Sequence, residues 1–286
     1  MRRVEKLEAM LGSCKLCPKG CGVDRLSGER GRCGAGAMLE ISSYGPHFGE
    51  EPELVGTHGS GTIFLAHCGL LCVYCQNYEI SHLGFGDEAT VDKAVEIMIS
   101  LEEAGCHNIN LVTPTHYAPQ LARAIEAARD RGLRIPIVWN CGGYESVEAV
   151  RLLNGLVEIY MPDMKYGDVV PAARYSGAPD YLERAKETVT EMQRQVGDLR
   201  VDRRGIATGG LLVRHLVLPN GLAGSERVLS FIASEISMDC YVNIMNQYRP
   251  CGRASEYSEL NRRPTRDEYL SVVEYAHGLG LHRGFK

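Results

Sequence analysis

Short apolar runs alternate with longer amphipathic stretches from about residue 60 to the end of the chain. The short runs are rich in β-branched and aliphatic residues, as strands buried on both faces require. We predict six such strands, at residues 62–66, 108–112, 135–140, 157–161, 211–218 and 241–246. Strands that alternate with helices are typical of repeated βα units, so the pattern predicts a parallel sheet.

Apolar residues three and four positions apart, with charges between them, mark the helices that connect the strands. The clearest are predicted at residues 91–104 and 121–130. Thr265 and Glu268 form a capping box that predicts a last helix, which ends near Gly278. Six βα units are too few for a closed eight-stranded barrel, so we expect an α/β fold with a partial (β/α)6 TIM-like barrel. Its site should lie in the loops at the carboxyl ends of the strands.

The charge and the cysteine content narrow the class of function. A formal net charge of -5 provides no field that attracts nucleic acid or an anionic membrane, so we expect neither as a partner. The N-terminus has no apolar core of signal-peptide length and no later segment approaches a membrane span, which predicts a cytoplasmic protein. Eleven cysteines in a reducing compartment indicate thiolates that bind metal or react, rather than disulfides.

Three cysteines follow the first predicted strand in the segment HCGLLCVYCQN. Cys68, Cys72 and Cys75 are spaced as Cys-x3-Cys-x2-Cys. A [4Fe–4S] cluster normally takes four cysteines, so a loop that supplies three leaves one iron open for another ligand. The alternative is a zinc site completed by His67 or by a remote residue, although five further βα units are not a usual zinc-finger context.

This spacing, with the aromatic Tyr74 just before the third cysteine, resembles the radical S-adenosylmethionine (SAM) superfamily. Asn77, in the Cys-Gln-Asn segment, and the later strand ends look like the pyruvate formate-lyase activating enzymes and, more closely, their PflX-type relatives. The resemblance covers nearly the whole chain. It implies that SAM chelates the open iron, with Tyr74 near its adenine and Asn77 among the cofactor-binding residues. It also implies that an electron from a donor such as flavodoxin or ferredoxin cleaves SAM to a 5'-deoxyadenosyl radical, which abstracts hydrogen from a substrate.

The ends of the second and third predicted strands align with SAM-binding segments of the same family. Val-Thr-Pro-Thr-His stands where the activating enzymes usually have Gly-Gly-Glu for the SAM amino group, so Thr113, Thr115 or His116 is expected to supply the acceptor. His116 is an equally good candidate for a packed loop histidine. Asn140 occupies the position of the family's aspartate in Asp-Thr-Asn-Gly.

Asp163 and Lys165, at the end of the fourth strand, match the family's Asp-x-Lys motif. The resemblance implies that they fix the amino acid portion of SAM and that the aspartate can also bind a monovalent cation. The alternative is a surface ion pair worth under ~1 kcal/mol. Residues two apart on a strand face the same way, which favours the cofactor role. On the fifth strand, Arg214 and His215 face opposite ways, so at most one points into the barrel.

Four cysteines near the N-terminus form a second candidate metal site. Cys14, Cys17, Cys21 and Cys33 are a complete four-thiolate set with turn-forming glycine and proline between them. The set fits zinc or an auxiliary [4Fe–4S] cluster. We favour zinc, because the related enzymes carry extra clusters in a larger insert after the SAM-binding cysteines. We divide the chain into this segment, residues 1–55, and a radical SAM core domain, residues 56–286.

The predicted activity is reductive cleavage of SAM, with hydrogen abstraction from a protein or peptide as in glycyl radical enzyme activation. One alternative keeps the radical chemistry with a small molecule or another peptide as substrate. A second is an electron carrier or regulatory module without turnover. Cys251, in the loop after the sixth strand, is either a hydrogen-atom relay or a packing residue. No residue is assigned a catalytic role.

Overall fold

A nine-stranded sheet is the centre of the computed structural model, which describes residues 2–285 of the chain. The strands are β1 (Leu39–His47), β2 (Ser60–Leu65), β3 (Asp87–Ala89), β4 (Ile109–Val112), β5 (Ile137–Cys141), β6 (Ile159–Pro162), β7 (Arg200–Val201), β8 (Ala207–Leu216) and β9 (Tyr241–Met245). Six of them, in the order β2-β4-β5-β6-β8-β9, are parallel. The other three pair antiparallel.

Ten α-helices connect or flank these strands within residues 2–285. They are α1 (Arg3–Ala9), α2 (Pro52–Val55), α3 (Tyr78–Ser81), α4 (Val91–Glu103), α5 (Ala118–Asp130), α6 (Val147–Leu152), α7 (Val169–Ser176), α8 (Tyr181–Val196), α9 (Ser225–Phe231) and α10 (Arg266–Gly278). The predicted capping box of α10 is confirmed, with Thr265 accepting from the Glu268 backbone and Glu268 from the Thr265 backbone. None of the described helices has both the length and the apolar character needed to cross a bilayer.

The six parallel strands are the six that the sequence predicts, which confirms the α/β class. Their ends differ by a few residues, most at β8, which begins at Ala207 rather than 211. Three antiparallel strands were not predicted. β1 contains Gly45 and Pro46, which disfavour a strand away from an edge, and β3 and β7 are only 3 and 2 residues long.

Side chains alternate between the two faces of the parallel strands. Residues such as Trp139 and Tyr160 point outward and pack with the helices in the main apolar core. A smaller apolar cluster occupies the inner face, and its members are Leu54, Val138, Ile159, Met161, Leu199, Ala207, Leu212 and Tyr241. Polar side chains share this inner face at other positions, among them Asn110, Asn140 and Arg214.

Residues 50–55, between β1 and β2, lie on this inner face and are called the central segment. Glu50 accepts hydrogen bonds from Asn110 of β4 over 3.1 Å and from Arg214 of β8 over 3.2 Å. These strands are three positions apart in the sheet, which would separate them by about 14 Å if the sheet were flat. The sheet therefore curves around the central segment.

The N-terminal part of the chain packs against the same sheet and core. β1 pairs with β2 along its length, and Leu7 and Leu16 are buried in the main core. The sequence-based division after residue 55 stays a prediction, because the strand before it and the strand after it belong to one sheet.

Candidate metal centre and cofactor site

The three-cysteine loop leaves β2 at Leu65 and carries Cys68, Cys72 and Cys75. His67 and Leu71 on either side of Cys68 have left-handed backbone, with φ of 72° and 49°. Such conformations cost on the order of 1 kcal/mol or more for residues with side chains and are concentrated at functional sites. The strained backbone turns the loop back on itself at the carboxyl end of the strand.

The three thiols lie close enough to act on one another. Burial first, and then the neighbouring Cys72 and Cys75, raise the pKa of Cys68 to about 12. The backbone N–H groups of Leu70 and Leu71 oppose this by donating to the Cys68 sulfur. Successive N–H groups that point at one atom form a pocket for negative charge, so this turn is suited to a thiolate ligand.

Hydroxyl donors reach the other two sulfurs. Ser176 donates to the Cys72 sulfur over 2.9 Å, and Ser81 donates to the Cys75 sulfur over 3.2 Å. The charge of Lys165 also favours the Cys72 thiolate, although burial raises the pKa of this thiol overall. Hydrogen bonds to sulfur are a regular feature of iron–sulfur sites, so the donor set fits a cluster held by three thiolates.

A zinc ion at this loop fits less well. Zinc bound by cysteines requires their sulfurs within about 4 Å of one another, whereas a cluster takes each thiolate at a different iron. Within residues 2–285, no three cysteine, histidine, aspartate or glutamate side chains converge on a point where one ion could be held. The Nε2 atom of His67 lies 3.0 Å from the Glu40 carboxylate, so that nitrogen is already paired.

Asp163 and Lys165 form a buried ion pair beside this loop. Their charged atoms are 2.5 Å apart, and both side chains are less than a fifth exposed. Burial by itself raises the pKa of Asp163, but Arg214 and Lys165 outweigh it and hold the pKa below its ordinary value. The pair is therefore ionised and part of the interior, not a surface contact.

Arg214 joins this pair to the third predicted strand end. Its guanidinium donates to Asp163 over 2.8 Å and to the side-chain oxygen of Asn140 over 2.7 Å. His215 faces the opposite way and bonds to the Met164 carbonyl. Of the two neighbours, Arg214 is thus the one on the inner face, which sequence alternation did not decide.

A cavity of about 30 Å³ opens between the three-cysteine loop and the ends of β4 and β5. Cys68, Thr113, Thr115 and Glu145 are among the residues that line it. Thr113 has left-handed backbone, φ 58°, and its N–H donates to the Asn140 carbonyl over 2.8 Å. Thr113 and Thr115 therefore line the same cavity as Cys68, and Thr113 also contacts Asn140.

Glu145 is a site residue that sequence reasoning missed. Its side chain is buried in this cavity and accepts a hydrogen bond from the Thr115 hydroxyl. Burial raises its pKa to about 8. An acidic residue a few positions beyond the end of β5 was the available signal, since polar groups at strand ends meet at one edge of a parallel sheet.

Tyr74 and Asn77 lie in contrasting surroundings. Tyr74 is buried edge-on against Tyr166 and Tyr248, with ring centres 6.3 and 5.8 Å away. Asn77 is exposed where α3 begins. Neither contacts the cavity lined by Thr113 and Thr115.

His116 and Cys251 both lie in loops beside the three-cysteine loop or its strand. His116 is a packed loop histidine, since its Nε2 lies 2.8 Å from the Ala66 carbonyl and burial lowers its pKa to about 3. Cys251 lies in a loop that rests on the three-cysteine loop, because the neighbouring Arg253 N–H donates to the Val73 carbonyl over 2.7 Å.

The four N-terminal cysteines lie near one another. A methyl group added at Gly31 would sit 3.4 Å from the sulfurs of both Cys21 and Cys33. Burial, and to a lesser extent the thiols of Cys33 and Cys14, raise the pKa of Cys17 to about 12. The predicted ligands lie near one another, but no three of them converge on a point where one ion could be held, so the arrangement does not favour zinc over an iron–sulfur cluster.

This N-terminal set also touches the three-cysteine loop. Cys17 and Cys68 line the same cavity, and a methyl group at Gly69 would lie 3.5 Å from the Cys17 sulfur. Lys19 donates to the carbonyls of Ser176 and Gly177, and Ser176 in turn bonds Cys72. The two cysteine groups are thus neighbours in the fold.

Comparisons with known proteins place the fold and the family. No family model matches the chain. The chain superposes on the crystal structure of methylornithine synthase (PylB) with a TM-score of 0.52, at 13% identity over 78% of this chain. It covers 63% of that protein, so it spans less than two thirds of methylornithine synthase. It is also 31% identical, over 98% of its length and 78% of the relative, to the uncharacterized protein MJ0674 of Methanocaldococcus jannaschii. The chain therefore belongs to the family of MJ0674.

Proposed function

We propose that the chain is a radical SAM enzyme whose [4Fe–4S] cluster is held by Cys68, Cys72 and Cys75. The observation that carries the proposal is the set of three thiols at one strand end, each with hydrogen-bond donors at its sulfur. Three protein ligands leave one iron open. The fold supports the same conclusion, because methylornithine synthase is a radical SAM enzyme.

We propose further that the curved sheet is a partial (β/α)6 barrel with its active site at the carboxyl ends of the strands. Six parallel strands follow one another in the sheet, and β4 and β8 contact the same carboxylate of Glu50 across its inner face. The three-cysteine loop, Asn140 and Asp163 all lie at those ends. Active sites of barrels are built there from loops of successive strands.

Cys68, Cys72 and Cys75 would hold the cluster, which would supply the electron for reductive cleavage of SAM and so the radical chemistry. The side chains of this chain bind and orient the cofactor. Lys165 and Asp163 would hold the carboxylate and amino groups of SAM; their ion pair, and the bond from Arg214 to Asn140 beside it, support this role. Glu145 and Thr115 offer acceptors in the cavity next to Cys68, where the amino group would need them. Tyr74 and Asn77 stay predicted contacts of the cofactor.

Anaerobic incubation of reconstituted, reduced protein with SAM tests the activity. We expect 5'-deoxyadenosine from the native chain and none from Cys72→Ala, which should also lose the spectrum of a cluster with one distinct iron. Cys106→Ala is the matched control, because Cys106 is buried away from both cysteine groups. No 5'-deoxyadenosine from native protein, or equal amounts from Cys72→Ala, would refute the proposal.

The remaining predicted partners belong to the same proposal. An electron donor such as flavodoxin or ferredoxin reduces the cluster, and the Cys14, Cys17, Cys21 and Cys33 segment binds a second metal, preferably zinc. The division into a metal-binding segment, residues 1–55, and a core domain is kept with it. The cytoplasmic location also stays a prediction.

Two substrate classes follow from the sequence. Activation of a glycyl radical enzyme predicts a glycyl doublet in electron paramagnetic resonance when the reduced protein is mixed with SAM and such an enzyme. A small-molecule substrate is favoured by the charged side chains on the inner face, since Arg214, Asp163 and Lys165 are largely buried and keep only 16–18% of their surface exposed. Absence of the doublet with all candidate enzymes would support the small molecule.

A further inference from the structure

A cluster of polar side chains on the inner face joins the central segment to the strands. We call it the inner-face cluster, and its members are Glu50, Glu51, Asn110, Asn140, Asp163, Lys165, Arg214 and Asn243. Glu50 accepts from Asn110 and Arg214, and Glu51 accepts from Asn243 over 2.8 Å. Glu51 is 5% exposed, although it is a carboxylate in a short connecting segment.

Two acceptors in this cluster have no donor. The Oε2 atom of Glu51 and the Oδ1 atom of Asn110 are buried and make no hydrogen bond. No hydrogen bond of the cluster reaches these two oxygens. Asn243 donates to the other oxygen of Glu51, Asn110 donates to Glu50, and Arg214 donates to Asp163, Glu50 and Asn140. A buried carboxylate oxygen without a partner is costly, so the missing donor must come from another molecule.

The charge of the cluster indicates what that molecule carries. Three carboxylates, from Glu50, Glu51 and Asp163, face the two cations Lys165 and Arg214. With all three ionised, one negative charge is left over, and Arg214 lies close enough to both glutamates for their charges to act on it. Burial, and then the charge of Glu51, raise the pKa of Glu50, so this extra charge is unfavourable unless a further cation is bound. A neutral water would satisfy an acceptor but would leave this charge uncompensated.

The cluster also has an open end. The side chains of Asp163, Lys165 and Arg214 are 16–18% exposed, whereas Glu51 lies at the buried end beside the central segment. Lys165 is in turn close to Cys72. A molecule whose cationic group sits at Glu51 would therefore extend towards the three-cysteine loop.

We propose that the inner-face cluster binds the ammonium group of a small primary amine, with Glu51 as its acceptor. The ammonium supplies both N–H donors and the missing positive charge. The identification of this amine as the substrate rests on the proposed function. Amine binding at this site does not depend on SAM cleavage, so an experiment can refute the site and the proposed function independently of each other.

Thermal unfolding of the cluster-loaded protein, under anaerobic conditions without SAM, measures this binding. The probe is n-butylammonium chloride, compared at equal ionic strength with tetramethylammonium chloride, which has the same charge and no N–H donor, and with potassium chloride. Near saturation we expect butylammonium to raise the unfolding midpoint by about 2 °C or more, and the other two salts to have little effect.

Variants of the central segment locate the effect. Glu51→Gln should weaken butylammonium binding by at least about tenfold, because a charge-assisted hydrogen bond is lost. Glu53→Gln, on the same turn, should respond like the native protein, because the Glu53 carboxylate is already paired with the Tyr241 hydroxyl over 2.6 Å. Glu51→Asp, which keeps the charge and shortens the side chain, replaces Glu51→Gln if that variant does not fold and should also bind more weakly.

The outcomes separate the possibilities. An equal rise with potassium would make this an inorganic cation site and overturn the ammonium assignment. No selective rise with butylammonium would mean that a buried water completes the cluster, and an undiminished rise in the Glu51 variants would mean that the amine binds elsewhere. Either result would overturn the proposal. Selective binding in a protein that does not cleave SAM would uphold the site and refute the proposed function.

Discussion

The hydroxyl of Ser176 donates a hydrogen bond to the sulfur of Cys72 over 2.9 Å, although the two residues are 104 positions apart in the chain. Ser176 is the last residue of α7, and its hydroxyl also pairs with that of Tyr166 over 2.8 Å. A helix well outside the three-cysteine loop thus supplies a hydrogen bond to the Cys72 sulfur.

Replacing Ser176 by alanine should lower the reduction potential of the cluster. A donor to sulfur stabilises the more negative, reduced state, so its loss is expected to shift the potential down by on the order of tens of millivolts. A redox titration monitored by electron paramagnetic resonance measures the shift. Ser234→Ala, at an exposed position, is the control. An unchanged potential would mean that the bond does not act on the cluster.

Asp163→Asn should reduce both stability and SAM binding. It removes one charge from a buried network and leaves Arg214 and Lys165 without their shared partner, which is expected to cost about 3–5 kcal/mol of unfolding free energy. Urea denaturation and SAM titration measure the two effects. Asp239→Asn should change neither much, since Asp239 is 70% exposed beside His282. Native-like stability and affinity in Asp163→Asn would contradict this role.

Cys21→Ala should remove metal from the N-terminal segment alone. Elemental analysis is expected to find about one zinc fewer per chain with unchanged iron, because structural zinc needs all four ligands. A loss of about four irons instead would identify an auxiliary cluster. Cys240→Ala, in the main core, is the control. Full retention of both metals would show that this segment does not bind one.

Ionisation of Glu145 should lower the free energy of unfolding as the pH rises near neutrality. Its pKa of about 8 in the folded chain lies above its ordinary value of 4.5, so the folded state holds a proton that the unfolded state has lost. The unfolding free energy should therefore decrease between these values, by about 2 kcal/mol from pH 6.5 to pH 8. Buried His116 and His215, with pKa lowered to about 3 and about 4, act below that window.

Urea denaturation without SAM, repeated across this pH range, measures the slope. Glu145→Gln keeps a hydrogen-bonding side chain and should flatten it, whereas Glu187→Gln, at an exposed position, should not. A native slope in Glu145→Gln would assign the proton to another group.

Local patterns in the sequence predict much of this arrangement. The cysteine spacing places three thiols on one loop. The Asp-x-Lys spacing predicts that Asp163 and Lys165 share one site, and they do form an ion pair, although both lie just beyond the end of β6 and not on the strand. Alternation limits the inner face to Arg214 or His215, but the choice depends on sheet register, which long-range pairing sets. Glu50 and Glu51 carry no periodic signal, because only the curvature of the sheet buries them.

The central segment also constrains the order in which the chain can fold. Glu51 bonds Asn243 across 192 positions, and Glu53 bonds Tyr241 across 188. These contacts cannot form during synthesis until β9 has emerged, and closing so long a loop carries an entropic cost. Glu51 and Glu53 therefore find these partners only after β9, the last strand, has been synthesised. In a nascent chain that stops before β9 they would stay exposed to water.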